Sequence, residues 1–257
     1  MTASSVLPVH RIRDLTLLDL GDGRTLVVAC DSVGSIGDKP GDSYPASPAT
    51  VAHFAVRVPL LEVLCAGATP ELVVDALSVE LEPTGSAMID EIRRVVAALG
   101  LGPERVTGST EDNVPTTATG VGVTVIATAS TDHLRPGRAR AGDLVLCLGT
   151  PVSAPEDVVE IGDRRMVALE TVAAVAAHPD AHELLPVGSR GIGHELGELA
   201  GTAGLAATTL PHDLDPARTA GPSSCVLAAI DPAAEADILA LLPADLPRTR
   251  VATLAAA

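Results

Sequence analysis

Asp31 closes the apolar run TLVVAC and opens the polar segment DSVGSIGDKPGD. A carboxylate there suits a hard cation, and Gly34 and Gly37 let backbone N–H groups approach phosphate oxygens closely. Lys39 would add a phosphate contact and Asp42 a second metal ligand. The segment lacks the GxxxxGK[ST] pattern of a Walker A loop. A polar loop whose aspartate caps a turn accounts for the same letters.

Three further segments place acids or small polar residues where ligands are held. Glu62 interrupts the apolar stretch VPLLEVLCAGATP. A lone acid there is costly unless it is paired, binds a cation, or lies on an exposed stripe. Gly108, Ser109, Thr110, Glu111 and Asp112 offer hydroxyls and acids for phosphate or Mg²⁺, or a capped turn before the next strand. Gly188 to Gly193 form a glycine-rich turn leading into a helix. An anion can sit at such an N-terminus, with Arg190 as a fork donor.

Other chemistries lack their residues. No histidine pair forms a metal-binding motif such as HExxH, and His53, His178, His182, His194 and His212 read as surface or cap residues. No serine lies in GxSxG, so an acyl-transfer triad is unsupported. The four cysteines, Cys30, Cys65, Cys147 and Cys225, form no CxxC pair, and three read as small buried residues. Carboxylates without such a nucleophile fit metal-assisted phosphoryl transfer.

The elements that must position these groups follow from periodicity. Leu15–Leu20 and Thr25–Cys30 flank Gly21-Asp22-Gly23-Arg24 as a hairpin. Ala49–Ala66 reads as a helix capped by Gly67, Leu72–Leu81 as a strand, and Ala87–Leu99 as an amphipathic helix. Arg105–Ser109 and Gly120–Ala129 are strands. The connection His133–Asp143 (HLRPGRARAGD) gathers Pro, Gly and Arg, which suggests domains over 1–132 and 133–257. Beyond it, Leu144–Leu148, Cys225–Ile230 and Arg250–Leu254 read as strands. Ala168–Ala177, Ile192–Ala203 and Ala233–Leu242 read as helices. The alternation predicts a mixed α/β protein.

The 257 residues suit one large domain or two ordinary ones. One Phe, one Tyr and no Trp demand an aliphatic core. They also leave little for base stacking on single strands. A net charge of -16 repels phosphate backbones, so no nucleic-acid partner is expected, and a bound polyphosphate needs a cation such as Mg²⁺. Lys39 is the one lysine. No stretch approaches 18 consecutive apolar residues and MTASSVLPVHRIRD lacks a leader-like run. The expectation is therefore a cytoplasmic protein with no membrane span.

The order of the four segments resembles the aminoimidazole ribonucleotide synthetase-like (PurM-like) superfamily, most strongly from Arg13 to Ala129. Asp14, in RDLTLLDLGDGR, stands where the kinase pattern GDDAAVL has an acid, with Arg13 in place of its neighbour. Asp31 matches a strand-ending aspartate. Glu62 with Gly67-Ala68-Thr69-Pro70 is similar to NDxxxxGAxP, with Leu61 for Asn and Glu for Asp. Gly108-Ser109-Thr110-Glu111 resembles a GGDT-like loop that binds metal and phosphate, with Glu111 or Asp112 standing in for its aspartate. CDSVGSIGDKPGD followed by TGSTEDNVPT looks most similar to the α-ribazole kinase and thiamine-monophosphate kinase branch.

This resemblance implies an N-terminal α/β domain that pairs with a second copy into a dimeric β-barrel, a C-terminal α/β domain, and ATP in the cleft. It implies an ATP- and Mg²⁺-dependent kinase acting on a small-molecule hydroxyl, α-ribazole among the candidates. Asp14, Asp31, Glu62 and Glu111 would hold Mg²⁺. Gly34, Gly37, Lys39, Gly108, Ser109, Thr110, Gly188 and Arg190 would contact nucleotide. Asp31 and Asp42 would serve catalysis, Asp42 orienting the acceptor hydroxyl. Two other readings stay open: a non-catalytic nucleotide-binding homodimer, and a synthetase or cyclase of the aminoimidazole ribonucleotide type.

Overall fold

The computed structural model describes residues 6–257. The first five residues of the stretch read for a leader lie outside them. The N-terminal elements are β1 (Val9–Ile12), β2 (Leu15–Gly21), β3 (Arg24–Gly34), β4 (Ile36–Gly37), β5 (Tyr44–Pro45), α1 (Pro48–Cys65), β6 (Thr69–Leu77), α2 (Ser86–Ala98), β7 (Val106–Thr110) and β8 (Gly120–Ser130). The rest are β9 (Leu144–Leu148), α3 (Leu169–Ala176), β10 (Ala181–Pro186), α4 (Ile192–Thr202), β11 (Leu205–Thr209), β12 (Val226–Ile230), α5 (Glu235–Ala240) and β13 (Arg248–Ala256).

The first sheet has the order β1-β2-β3-β8-β6-β7. Its hairpin turns on Asp22 and Gly23, at φ 52° and 72°, the left-handed pair that suits a two-residue loop. Strand β3 runs past Cys30 to Gly34, because β8 supplies ladder partners along its whole length, from Arg24 opposite Ser130 to Gly34 opposite Gly120. Asp31 therefore lies within a strand and not in the loop after it. Strand β6 ends at Leu77, four residues earlier than expected. Leu81–Gly85 then lead into α2, with Glu82 in an extended conformation at φ -112° and ψ 133°. The six strands form an open sheet, with no closed barrel among the described residues.

Ser47 caps α1, its side chain accepting from the Thr50 N–H, and Gly67 leaves the helix at φ 77°. By length and composition α1 could cross a membrane, but most of it is buried. It packs against β3, β8, β10, α2 and α3 as a core helix.

The second sheet has the order β10-β12-β9-β13-β11. Strand β9 is buried along its whole length, and its residues alternate between two cores. Leu144, Leu146 and Leu148 join the core that α1 shares with the first sheet, while Val145 and Cys147 join a second core around Leu196 and Leu199 of α4. A sheet covered on both faces explains the unbroken apolar runs LVLCL and CVLAAI. Residues 131–143 connect the two sheets. Cys65, Cys147 and Cys225 are buried and Cys30 is exposed.

Candidate functional site

A cavity of about 590 Å³ opens between α1, the end of β3, the loop carrying β4 and β5, and the turns after β9 and β10 and before β12. Its α1 wall is Val51, Phe54, Val58 and Glu62. Their spacing of three and four residues places them along one helix face. Asp14, in the turn between β1 and β2, and Asp31, on the α1-facing side of β3, join Glu62 there. Val33, Ile36, Tyr44, Val158 and Val159 give apolar walls, and Gly188, Ser189 and Ser223 a polar edge.

The carboxyls perturb one another. Burial pushes Glu62 up to about 8, with Asp14, Glu195 and Asp31 adding to the rise and Arg13 opposing it. Asp31 is raised by burial and by Asp14, against a hydrogen bond from the Ser32 backbone. Glu195, in the first turn of α4, is raised chiefly by burial. Such a set resists full ionisation until a cation arrives. Among the described residues, no three His, Cys, Asp or Glu side chains lie close enough to cage a metal. Mg²⁺ does not require a cage. It is held by one or two carboxylates plus phosphate oxygens and water, and the all-oxygen donors here fit that mode.

The remaining expected residues lie elsewhere. The Asp42 carboxylate accepts from the Lys39 N–H, the Thr119 N–H and the Thr119 hydroxyl at 2.7–2.9 Å, pinning the loop that carries β4 and β5. Gly37 packs so tightly that a Cβ would lie 2.1 Å from the Thr119 hydroxyl oxygen. The Lys39 ammonium donates to Glu80 at 2.5 Å and to the Thr116 carbonyl. Lys39 and Thr116 hold the Glu80 carboxyl down at about 2. Gly34 ends β3 with open space beside it. Gly108 lies against Asp75, Ser109 is exposed, Thr110 donates to Asp112, and Glu111 accepts from the Asn113 N–H. Arg190 is exposed ahead of α4. There Glu195 takes up the Gly188 N–H that an anion at this helix end would use. Of the expected set, Asp14, Asp31, Glu62 and Gly188 share the cavity.

Arg13, which replaces an expected acid, pairs with buried Glu183 of β10 and donates to the Thr202 hydroxyl at 3.2 Å. It fastens the β1–β2 turn to the C-terminal half. Two acids escaped sequence reasoning. Glu195 lay hidden in GIGHELGE. Asp75 is buried on β6 and raised to about 6 by burial; the argument applied to Glu62, a lone acid among apolar neighbours, fits it equally. His182 is buried in β10 and is not a surface residue, and His53 is half-buried with its Nδ1 2.8 Å from Glu91. A second cavity of about 370 Å³ lies beside α2, but its Arg94 and Arg164 are already paired with Glu91 and Asp245.

Comparison with known proteins bears on the fold. Residues 13–129 match the family model "AIR synthase related protein, N-terminal domain". No curated protein sequence matches the chain. Thiamine-monophosphate kinase from Stenotrophomonas maltophilia K279a superposes with a TM-score of 0.66 at 18% identity, over 95% of this chain and 87% of that one. The same enzyme from Aquifex aeolicus gives 0.64 at 14% identity, over 95% and 89%. T. maritima PurL complexed with ATP gives 0.69 at 17% identity, over 98% of this chain but 44% of the longer PurL chain. Residues 13–129 therefore match an AIR synthase related N-terminal domain, and the chain shares the fold of thiamine-monophosphate kinase and of part of PurL.

Proposed function

We propose that the protein is an ATP- and Mg²⁺-dependent phosphotransferase acting on a small molecule, with nucleotide phosphates at the carboxylate end of the 590 Å³ cavity. The observation that carries this reading is the convergence of Asp14, Asp31 and Glu62 on one cavity with apolar walls. When bound, Mg²⁺ neutralises phosphate charge, which is most of what phosphoryl transfer asks of a protein. Asp31 and Glu62 would hold the cation, Asp14 would complete the acidic rim, and the Gly188 turn would border the ligand. Val33, Ile36 and Phe54 would exclude water. Lys39 reaches a phosphate only by exchanging Glu80 for it. ATP-complexed PurL and the thiamine-monophosphate kinases among the neighbours support a nucleotide in this fold. They lend no support to α-ribazole as the acceptor.

A second reading, a nucleotide-binding homodimer without catalysis, is favoured by the lack of a three-ligand metal group among the described residues and by the structural duties of Lys39 and Asp42. Turnover separates the two. ADP release is to be followed across a panel of small acceptors, nucleoside hydroxyls and the phosphate of thiamine monophosphate included. The kinase reading expects acceptor-dependent release that falls by about 100-fold or more in Asp31→Asn, as for loss of a group that stabilises transition-state charge. Nucleotide binding with no turnover across the panel, or undiminished turnover in Asp31→Asn, defeats it.

A further inference from the structure

Far from the acidic cavity, the chain gathers arginines. Asp132, His133, Leu134, Arg135, Arg138, Arg140, Pro179 and His182 line a recess of about 240 Å³. Three arginines face one unpaired carboxylate, Asp132, in a chain of net charge -16. The recess is built at a β-bulge. Ala181 opposes Ile230 and Glu183 opposes Ala229, leaving His182 as the extra residue, and bulges re-aim the side chain they carry. Its Nδ1 lies 2.9 and 3.0 Å from the two oxygens of Asp143, in the turn before β9. Both side chains are 4% exposed. The other ring nitrogen, Nε2, is buried without a partner. A buried polar atom with no partner costs free energy and calls for explanation.

We propose that His182, held by Asp143, and the arginines of the 133–140 connection form a binding site for a phosphate-type oxyanion. Asp143 accepts the Nδ1 proton, so the neutral ring presents a bare Nε2. An oxyanion in the recess favours a second proton, and the imidazolium donates from Nε2. Arg138 and Arg140 are exposed. The Arg138 guanidinium donates to the Leu134 and Asp132 carbonyls at 3.1 and 3.2 Å, whereas the Arg140 guanidinium makes no hydrogen bond among the described residues, so Arg140 can turn its fork to the ligand and Arg138 offers its remaining N–H groups. Arg135 is a positioning residue. Its guanidinium donates to the Ala176 and Ala181 carbonyls and fixes the end of α3 to the start of β10. Asp143 also accepts the Arg140 N–H, and Glu183, on the other side of β10, accepts the Ala139 N–H, so the connection is seated on the bulge at two points. The charges around His182 are Asp143 ahead of β9, Asp132, His133, Arg135, Arg138 and Arg140 on the connection, and His178 and Asp180 in the turn before β10. With the histidines uncharged the three arginines balance Asp132, Asp143 and Asp180, so the anion is held by directed donors, the exposed arginine forks and the His182 ring, and not by a net positive charge.

The test follows the histidine ring resonances of the full chain by long-range ¹H–¹⁵N NMR, with inorganic phosphate added and, separately, glycerol phosphate. The expected result is a saturable movement of the His182 ring below about 10 mM ligand. The double variant Arg138→Gln/Arg140→Gln, on exposed positions, should weaken binding about 10-fold or more, whereas Asp31→Asn should leave it unchanged. Tighter binding of one ligand than the other assigns the site to free phosphate or to a phosphomonoester. An unmoved His182 ring, equal movement in the arginine variant, or loss of the response in Asp31→Asn overturns the proposal. The first outcome leaves Asp143–His182 as a structural pair, and the last places the anion in the acidic cavity.

Discussion

Glu62 faces the cavity with a carboxyl pushed up to about 8, and this ties the stability of the chain to pH. A carboxyl whose pKa is higher folded than unfolded binds more protons in the native state across the window between the two values. Its contribution is fully present below the unfolded pKa, near 4.5, and is lost as pH rises through about 8. Melting temperature without metal should thus fall between pH 6 and pH 8.5, and Glu62→Gln should flatten that fall. The variant should melt higher at pH 8.5 by ~2–4 °C for each kcal/mol of repulsion relieved. A fall as steep as wild type in Glu62→Gln would show that the group is not responsible. Glu62 was legible because a lone acid in an apolar helix has few uses. Asp42 was not, because a carboxylate that accepts three hydrogen bonds within its own loop is written with the same Gly, Ser and Asp as one that binds a ligand.

Among the elements, regular periodicity and recognisable caps were readable, and tertiary partners were not. Helix α1 announced itself by its spacing, and Ser47 and Gly67 stand at its ends. Strand β10 went unread because AHELLP carries two charged or titratable residues, His182 and Glu183, buried only because Asp143 and Arg13 meet them. The length of β3 depended on β8 running beside it, which no local pattern reveals. The Gly108-Ser109-Thr110 motif also has a structural reading. A Cβ on Gly108 would lie 2.0 Å from an Asp75 carboxylate oxygen and 2.1 Å from the Asp75 carbonyl oxygen, on the neighbouring strand. Since backbone cannot give way cheaply, Gly108→Ala should cost about 1–3 kcal/mol in urea unfolding. An unchanged midpoint would mean that β7, an edge strand, shifts freely.

At the scale of the whole molecule, the first sheet presents α1 with one face and leaves the other uncovered. Leu18, Leu26, Val28, Thr124, Ile126 and Val74 alternate with the buried residues and are half-buried. An open apolar sheet face of this kind is what a second copy would cover to complete the barrel expected from the family resemblance. Light scattering on the eluting protein should give twice the chain mass, and Val28→Asp/Ile126→Asp should give a folded monomer. A monomeric wild type would contradict it. The resemblance was legible because the family's motifs follow one another in order along residues 13–129, the span that matches the family model. The distribution of its residues between one cavity and a distant loop was not, because that depends on how the two sheets pack around α1. The central claim is that the carboxylate cavity binds Mg²⁺-ATP, and the melting temperature with ATP plus Mg²⁺, with ATP alone and with neither, in wild type and Asp31→Asn, tests it most directly. Ligand at about 100-fold over its dissociation constant adds about 2.7 kcal/mol to the native state. The prediction is a rise of several degrees that requires Mg²⁺ and is absent in Asp31→Asn; no rise at millimolar nucleotide, or an equal rise in the variant, would contradict it.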